Sequence, residues 1–87
     1  MRLVVHVKDK AYTNNDEHYY SIIRNNIRKE RLKQNLTQQD LADMTEVSRG
    51  YICDTENESR NKHISIHLLG RISEALQVPI ENFFKEN

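Results

Sequence analysis

Apolar residues recur along most of this chain at spacings of three and four, with polar residues filling the intervals. At about 3.6 residues per turn such positions share one face, so the pattern is that of amphipathic helices. Ile23 and Ile27, with Leu32 continuing the stripe, predict a first helix from about Glu17 to Gln34. Leu36 then precedes Thr37-Gln38-Gln39-Asp40, an N-cap hydroxyl with an acid at the third helical position. A second helix starts there and carries Leu41, Ala42 and Met44 inward. It must be short, because Ser48 is another N-cap residue; a third helix follows from Arg49 to about Asn57, with Ile52 facing in. After a polar loop through Lys62, the positions Ile66, Leu69, Ile72, Ala75 and Leu76 predict a fourth helix over about Ser65 to Gln77. Pro79 opens a last short turn, Ile80 to Phe84, whose Phe83 and Phe84 are placed to close the core. The N-terminus departs from this pattern. Leu3, Val4, Val5 and Val7 form a run too brief for a stable helix and predict a strand over residues 1–8, and the polar residues 8–18 read as a connector.

Composition narrows what such a chain can be. Its 87 residues allow one small domain, with no room for a catalytic unit beside a regulatory one. Residues 1–19 are expected to be a strand and connector, a candidate dimerisation arm, and residues 20–87 the helical domain. No apolar run approaches the roughly 18–20 residues that span a bilayer, and Met1 to Lys8 hold too short an apolar core for a signal peptide. The single cysteine, Cys53, cannot build an internal disulfide framework, which fits a reducing cytoplasm. Thirteen basic and thirteen acidic residues cancel, so a nucleic-acid partner requires charge to be sorted locally. The first helix does sort it: Arg24, Arg28, Lys29, Arg31 and Lys33 crowd one stretch against the single acid Glu30.

Two short helices about four residues apart, each with its own hydroxyl cap, form the arrangement of a helix-turn-helix. The residues go further than the spacing. Leu36-Thr37-Gln38-Gln39-Asp40-Leu41-Ala42, Val47-Ser48-Arg49-Gly50-Tyr51-Ile52, Glu56, Leu69, Ile72, Ala75 to Pro79 and Phe83-Phe84 occur in order over residues 20–84. Together they resemble the lambda-repressor-like DNA-binding domain of the Cro/CI, or xenobiotic-response-element, type. The resemblance implies an all-α fold, a five-helix lambda-repressor-like domain, here with a short N-terminal β-strand extension. It implies that Gln38 bonds a DNA phosphate while bracing the recognition helix. Ala42 becomes the small residue between helices 2 and 3, Val47 the apolar turn residue, and Ile52 the core anchor. Arg31 and Glu56 match an ion pair between helices 1 and 3. Four positions depart from the family pattern: Glu46 where a turn glycine is usual, Thr55 where a larger apolar residue fills the core, Glu58 where glycine often ends helix 3, and Lys62 where proline often follows.

A recognition helix presents its first turn to base edges in the major groove. The planar fork of Arg49 matches guanine O6 and N7, Gly50 allows close backbone approach, and Asp54 either accepts from cytosine N4 or braces Arg49. Ser48, Tyr51, Asn57, Arg60 and Lys62 join Gln38 as phosphate contacts. The Tyr51 ring has a second use, packing over helix 2, and Arg60 could also reach a base at the groove edge; Arg28, Lys29 and Lys33 are read as a solvated face. One domain reads about four base pairs, too few to find a genomic site, so a homodimer on a pseudo-palindrome is part of the mechanism. It would form through the N-terminal strand, with Leu3, Val5 and Val7 on one side, or through the C-terminal helices.

Other chemistry has little support. His63 and His67 stand at metal-ligand spacing without a third ligand, so no metal is expected. Cys53 lies beside Asp54, which disfavours a reactive thiolate. Gly50 and Gly70 are isolated, no nucleophile has a base and orienter, and neither cofactor nor catalysis is expected. The expectation is a cytoplasmic, dimeric transcriptional repressor that binds double-stranded DNA. The antitoxin of a toxin pair and a restriction-modification controller are alternatives on the same fold, with a toxin or protein antagonist as partner. A protein-binding module that has lost DNA is the alternative of another class, motivated by Asp54, Glu58 and the zero net charge.

Overall fold

The computed structural model describes residues 15–57 and 63–86, and among them it places four α-helices: α1 Asn15–Lys33, α2 Gln38–Thr45, α3 Arg49–Glu56 and α4 Ile66–Leu76. The last predicted element is a 3-10 helix, Ile80–Phe84, in place of a fifth α-helix. The strand expected over residues 1–8, and the departures at Glu58 and Lys62, lie outside the described residues. Among those residues no helix is long and apolar enough to cross a membrane.

Local chemistry starts α2 and α3 where the caps predict, and α4 one residue after its expected start. Thr37 Oγ1 accepts from Asp40 N (3.0 Å) and Asp40 Oδ2 accepts from Thr37 N (2.8 Å), a reciprocal capping box. Ser48 and Ser65 cap α3 and α4 by accepting from Tyr51 N and Leu68 N, each at 3.0 Å. The bonds from Thr37 hold the exposed Asp40 carboxyl below the ordinary carboxylate range. Because the folded value lies below the unfolded one, this stabilisation is complete above about pH 4 and is lost as pH falls through the folded value. An Asp40→Asn variant should therefore show a flatter fall of melting temperature on acidification than the parent, measured by circular dichroism in parallel pH series.

Three helices end the same way. Asn35, Glu46 and Gln77 adopt left-handed backbone at φ 60°, 61° and 59°, and the residue after each closes back on its helix. These closures run Leu36 N to Arg31 O, Val47 N to Ala42 O and Val78 N to Ser73 O, all at 3.1 Å. Asparagine tolerates this conformation; Glu46 and Gln77 carry the Cβ strain that glycine avoids. Glu46 recovers part of it through an exposed ion pair with Arg71 (2.8 Å), while Gln77 makes only a long bond to Glu74 O (3.3 Å). Gln77→Gly should raise stability by about 0.5–1 kcal/mol in a urea titration, and Glu46→Gly by less. A loss of stability at Gln77 would show that the strain argument is wrong.

The core unites all five elements. Ile23, Ile27, Leu41, Ala42, Ile52, Leu68, Leu69, Ile72, Leu76 and Phe83 are buried, together with Ile64 of the segment before α4. Four residues read as inward are instead exposed: Leu32, Met44, Ile66 and Phe84. Each lies at a margin of its stripe, where helical spacing sets the face but not its width. Conversely Arg24, read as part of a basic face, is buried. So is Asn26, whose Nδ2 donates to the carbonyls of Phe83 and Lys85, both at 2.8 Å, and ties the C-terminal turn to α1. Gln34 Nε2 adds a bond to Leu76 O at 2.8 Å.

Candidate nucleic-acid interface

The placement of α3 begins in α1. Arg31 Nε and Nη2 donate to the two carboxylate oxygens of Glu56 at 2.8 and 2.9 Å, and Nη1 donates to Leu36 O at 2.7 Å. Their side chains are 7% and 2% exposed, so this bidentate pair is desolvated and fully engaged. The hydrogen bonds that Arg31 donates to Glu56, opposed by burial and helped by the carboxylate's charge, push the Arg31 pKa above its ordinary value. Gln38 Nε2 donates to Glu56 Oε1 at 3.1 Å, so one carboxylate links the first turn of α2, the last turn of α3 and the end of α1. This arrangement fixes the tilt of α3 against the scaffold.

Between α2 and α3 the backbone approach depends on buried Ala42 and on the left-handed turn at Glu46. Thr55 is also buried, and its hydroxyl donates to Tyr51 O at 2.7 Å. The smaller residue therefore satisfies its own polar atom within the helix, where a larger apolar side chain was the expected occupant.

The outer face of α3 starts with exposed Ser48, Arg49 and Gly50. Among the described residues no hydrogen bond or ion pair engages the Arg49 guanidinium, so the brace from Asp54 is not formed; Asp54 itself is half-buried and has a partner. A Cβ built on Gly50 would meet nothing nearer than Ser48 Oγ at 3.9 Å, so packing within the chain does not require glycine there. Tyr51 is half-buried against the core, which is the packing alternative for its ring. Gln38, bonded to Glu56 in the last turn of α3, and Asn57, the residue after Glu56, are both half-buried. Arg60 and Lys62 lie outside the described residues. The structure thus brings Ser48, Arg49, Gly50 and Tyr51 together at the start of α3, and Gln38 to its last turn through Glu56. The resemblance implied that Gln38 braces the recognition helix but not that Glu56 is its partner; no local spacing announces a contact between residues 18 apart.

The two histidines do not converge on a metal. His63 stacks on Tyr20 with ring centroids 4.9 Å apart, whereas His67 lies 3.4 Å from Arg71 Nη1. Among the described residues no group of three His, Cys, Asp or Glu side chains is placed to hold an ion.

Comparison with known proteins places this geometry. The helix-turn-helix family model HTH_3 matches residues 27–83. The clp gene regulator ClgR of C. glutamicum superimposes with a TM-score of 0.68 at 25% identity, over 75% of this chain and 82% of that one. The restriction-modification controller protein C.AhdI of Aeromonas hydrophila superimposes with a TM-score of 0.69 at 20% identity, over 75% of this chain and 96% of that one. A search of curated proteins returned no match. With two thirds of its length covered by the family model, the chain belongs to the Cro/CI-type helix-turn-helix family of DNA-binding transcriptional regulators.

Proposed function

We propose that this protein is a sequence-specific repressor that reads a pseudo-palindromic operator as a pair of copies, each laying α3 in the major groove. The observation that carries this reading is Arg49: an exposed guanidinium without an internal partner among the described residues, on the first turn of a helix held by a buried ion pair. A planar fork in that position suits the two acceptors of a guanine edge. Gly50, with open space where a side chain would stand, lets the backbone approach the bases, and Asp54 meets the next step of the groove as an acceptor for cytosine N4. Gln38, Ser48, Tyr51 and Asn57 position the duplex through its phosphates, joined by Arg60 and Lys62, which follow α3 in the sequence. Gln38 Nε2 carries two hydrogens; one bonds Glu56, and the other is directed to a phosphate oxygen, coupling backbone contact to the pose of α3.

Two copies follow from length. A single recognition helix covers about four base pairs, and half-sites about one helical turn apart supply the rest. With roughly four phosphate contacts per copy, log affinity should fall against log salt with a slope of about −6 to −8. The test is a gel-shift titration of the full chain on fragments from upstream of its own gene, at two salt concentrations. A discrete complex with that slope is expected. Absence of any complex at low salt would overturn the reading and favour the protein-binding module.

A further inference from the structure

Helix α4 carries a glycine that its own chain does not need. Gly70 lies mid-helix, where glycine weakens a helix relative to alanine, yet a Cβ built on it would meet nothing within 4 Å. Leu68, Leu69, Ile72 and Leu76 turn to the core, which leaves Ile66, Gly70 and Glu74 in one row on the outer face, spaced by about 6 Å along the axis. The row lines a groove with Met44 and Glu46 from the end of α2. Ile66 is 70% exposed and Met44 is exposed with it, so apolar surface stands beside the gap that the missing side chain leaves. A gap of this kind lets a second backbone come close. We propose that this face pairs with the same face of a second copy, the two α4 helices crossing antiparallel with Gly70 of each at the two-fold axis.

The order of residues along the row selects that occupant. A two-fold contact requires that wherever residue i meets j, j also meets i. In an antiparallel crossing centred on Gly70, residues whose numbers sum to about 140 fall opposite one another, so Ile66 and His67 of each copy meet Glu74 of the other. Ile66 then packs on the methylene stem of that Glu74, whose carboxylate turns to His67. Charge favours the match. Arg71 Nη1 lies 3.4 Å from His67 Nε2, and Arg71 Nη2 donates to Glu46 at 2.8 Å, so the N-terminal half of the face is its basic half. Glu74, exposed one turn beyond Gly70, is the acid, and among the described residues no ion pair engages its carboxylate. A duplex does not suit this face, because Glu46 and Glu74 would stand against phosphate. The pairing uses none of the base or phosphate contacts proposed above, and it rests on the operator reading only for the need of two copies.

The test is made on the full chain without DNA. Ile66→Cys and Glu74→Cys, each in a Cys53→Ser background and one of them lengthened by a tag, are mixed and mildly oxidised. The mixed disulfide should form and neither like pair should, because like positions stand about 12 Å apart along the axis and Cα atoms more than about 7 Å apart are not bridged. Gly70→Leu should keep the parent's helical circular dichroism, since the space beside position 70 is open, and should sediment as a monomer at concentrations where the parent is a dimer. Absence of the mixed disulfide, like pairs that cross-link as readily as the mixed one, or a Gly70→Leu dimer that persists would each overturn the proposal. The operator reading fails by a different measurement, the gel shift. A mixed pair that cross-links but shifts no duplex upholds the interface and sinks the operator reading; a chain that shifts its operator without forming the mixed disulfide does the reverse.

Discussion

Replacing Arg49 with alanine is expected to weaken operator binding by a factor between about 30 and 3 × 10⁴, and to relax preference at one base pair in each half-site. The range follows from about 1–3 kcal/mol of discrimination per bidentate contact, counted twice in a symmetric complex. The fold should be indifferent, because the side chain is exposed and engages nothing else among the described residues. Arg49→Lys separates the two things an arginine brings. Lysine retains the charge, so the salt slope should match the parent, yet it lacks the fork, so most of the sequence preference should disappear. Fluorescence anisotropy against an operator and its single-base variants, across a salt series, reads both quantities. An alanine variant that loses affinity equally on every sequence would make Arg49 a phosphate contact and remove the base-reading role from α3.

What the sequence discloses about this protein is largely what is local in it. The caps at Thr37 and Ser48 each depend on residues three apart, and both helices start as those residues predict, while Ser65, read as the first residue of the fourth helix, turns out to cap it. The turn at Glu46 adopts the left-handed backbone although the chain does not supply glycine, because burial of Leu41, Ala42 and Ile52 outweighs a strain of about 1 kcal/mol. Where the reading fails, the deciding contact is distant. Asn26 is one more polar residue on an amphipathic helix until the C-terminal carbonyls, 57 and 59 positions away, arrive to accept from it. Arg24 belongs by type to the basic stretch of the first helix, yet it is buried. Leu32, Met44, Ile66 and Phe84 err in the other direction, since spacing alone cannot say where an apolar stripe stops being covered. For the proposed DNA face, residue type alone singles out Arg49 and its neighbours. The missing brace from Asp54 needed coordinates, because two positions five apart on a helix need not point the same way.

The deepest dependence of that face is on Glu56, and Glu56→Ala is expected to cost about 3–5 kcal/mol of folding stability. Removing the carboxylate leaves the buried Arg31 guanidinium charged, with two of its three hydrogen bonds gone. For a domain of this size that is a fall in melting temperature of roughly 12–40 °C, enough to unfold a large fraction of the protein at growth temperature. The consequence differs when both partners go. Arg31→Met with Glu56→Leu removes the unpaired charge and fills the space with apolar volume, so most of the stability should return. Recovery should be incomplete, since Leu36 O loses its donor from Arg31. Operator affinity should not recover with it: without the carboxylate nothing ties Gln38 to α3, and the link between phosphate contact and helix pose is broken. A double-mutant cycle read by both melting temperature and operator affinity therefore separates the two duties of the pair. If the double variant regained stability and affinity together, the ion pair would be serving the fold alone, and the orientation of α3 would have to come from the packing of Ala42 and Ile52.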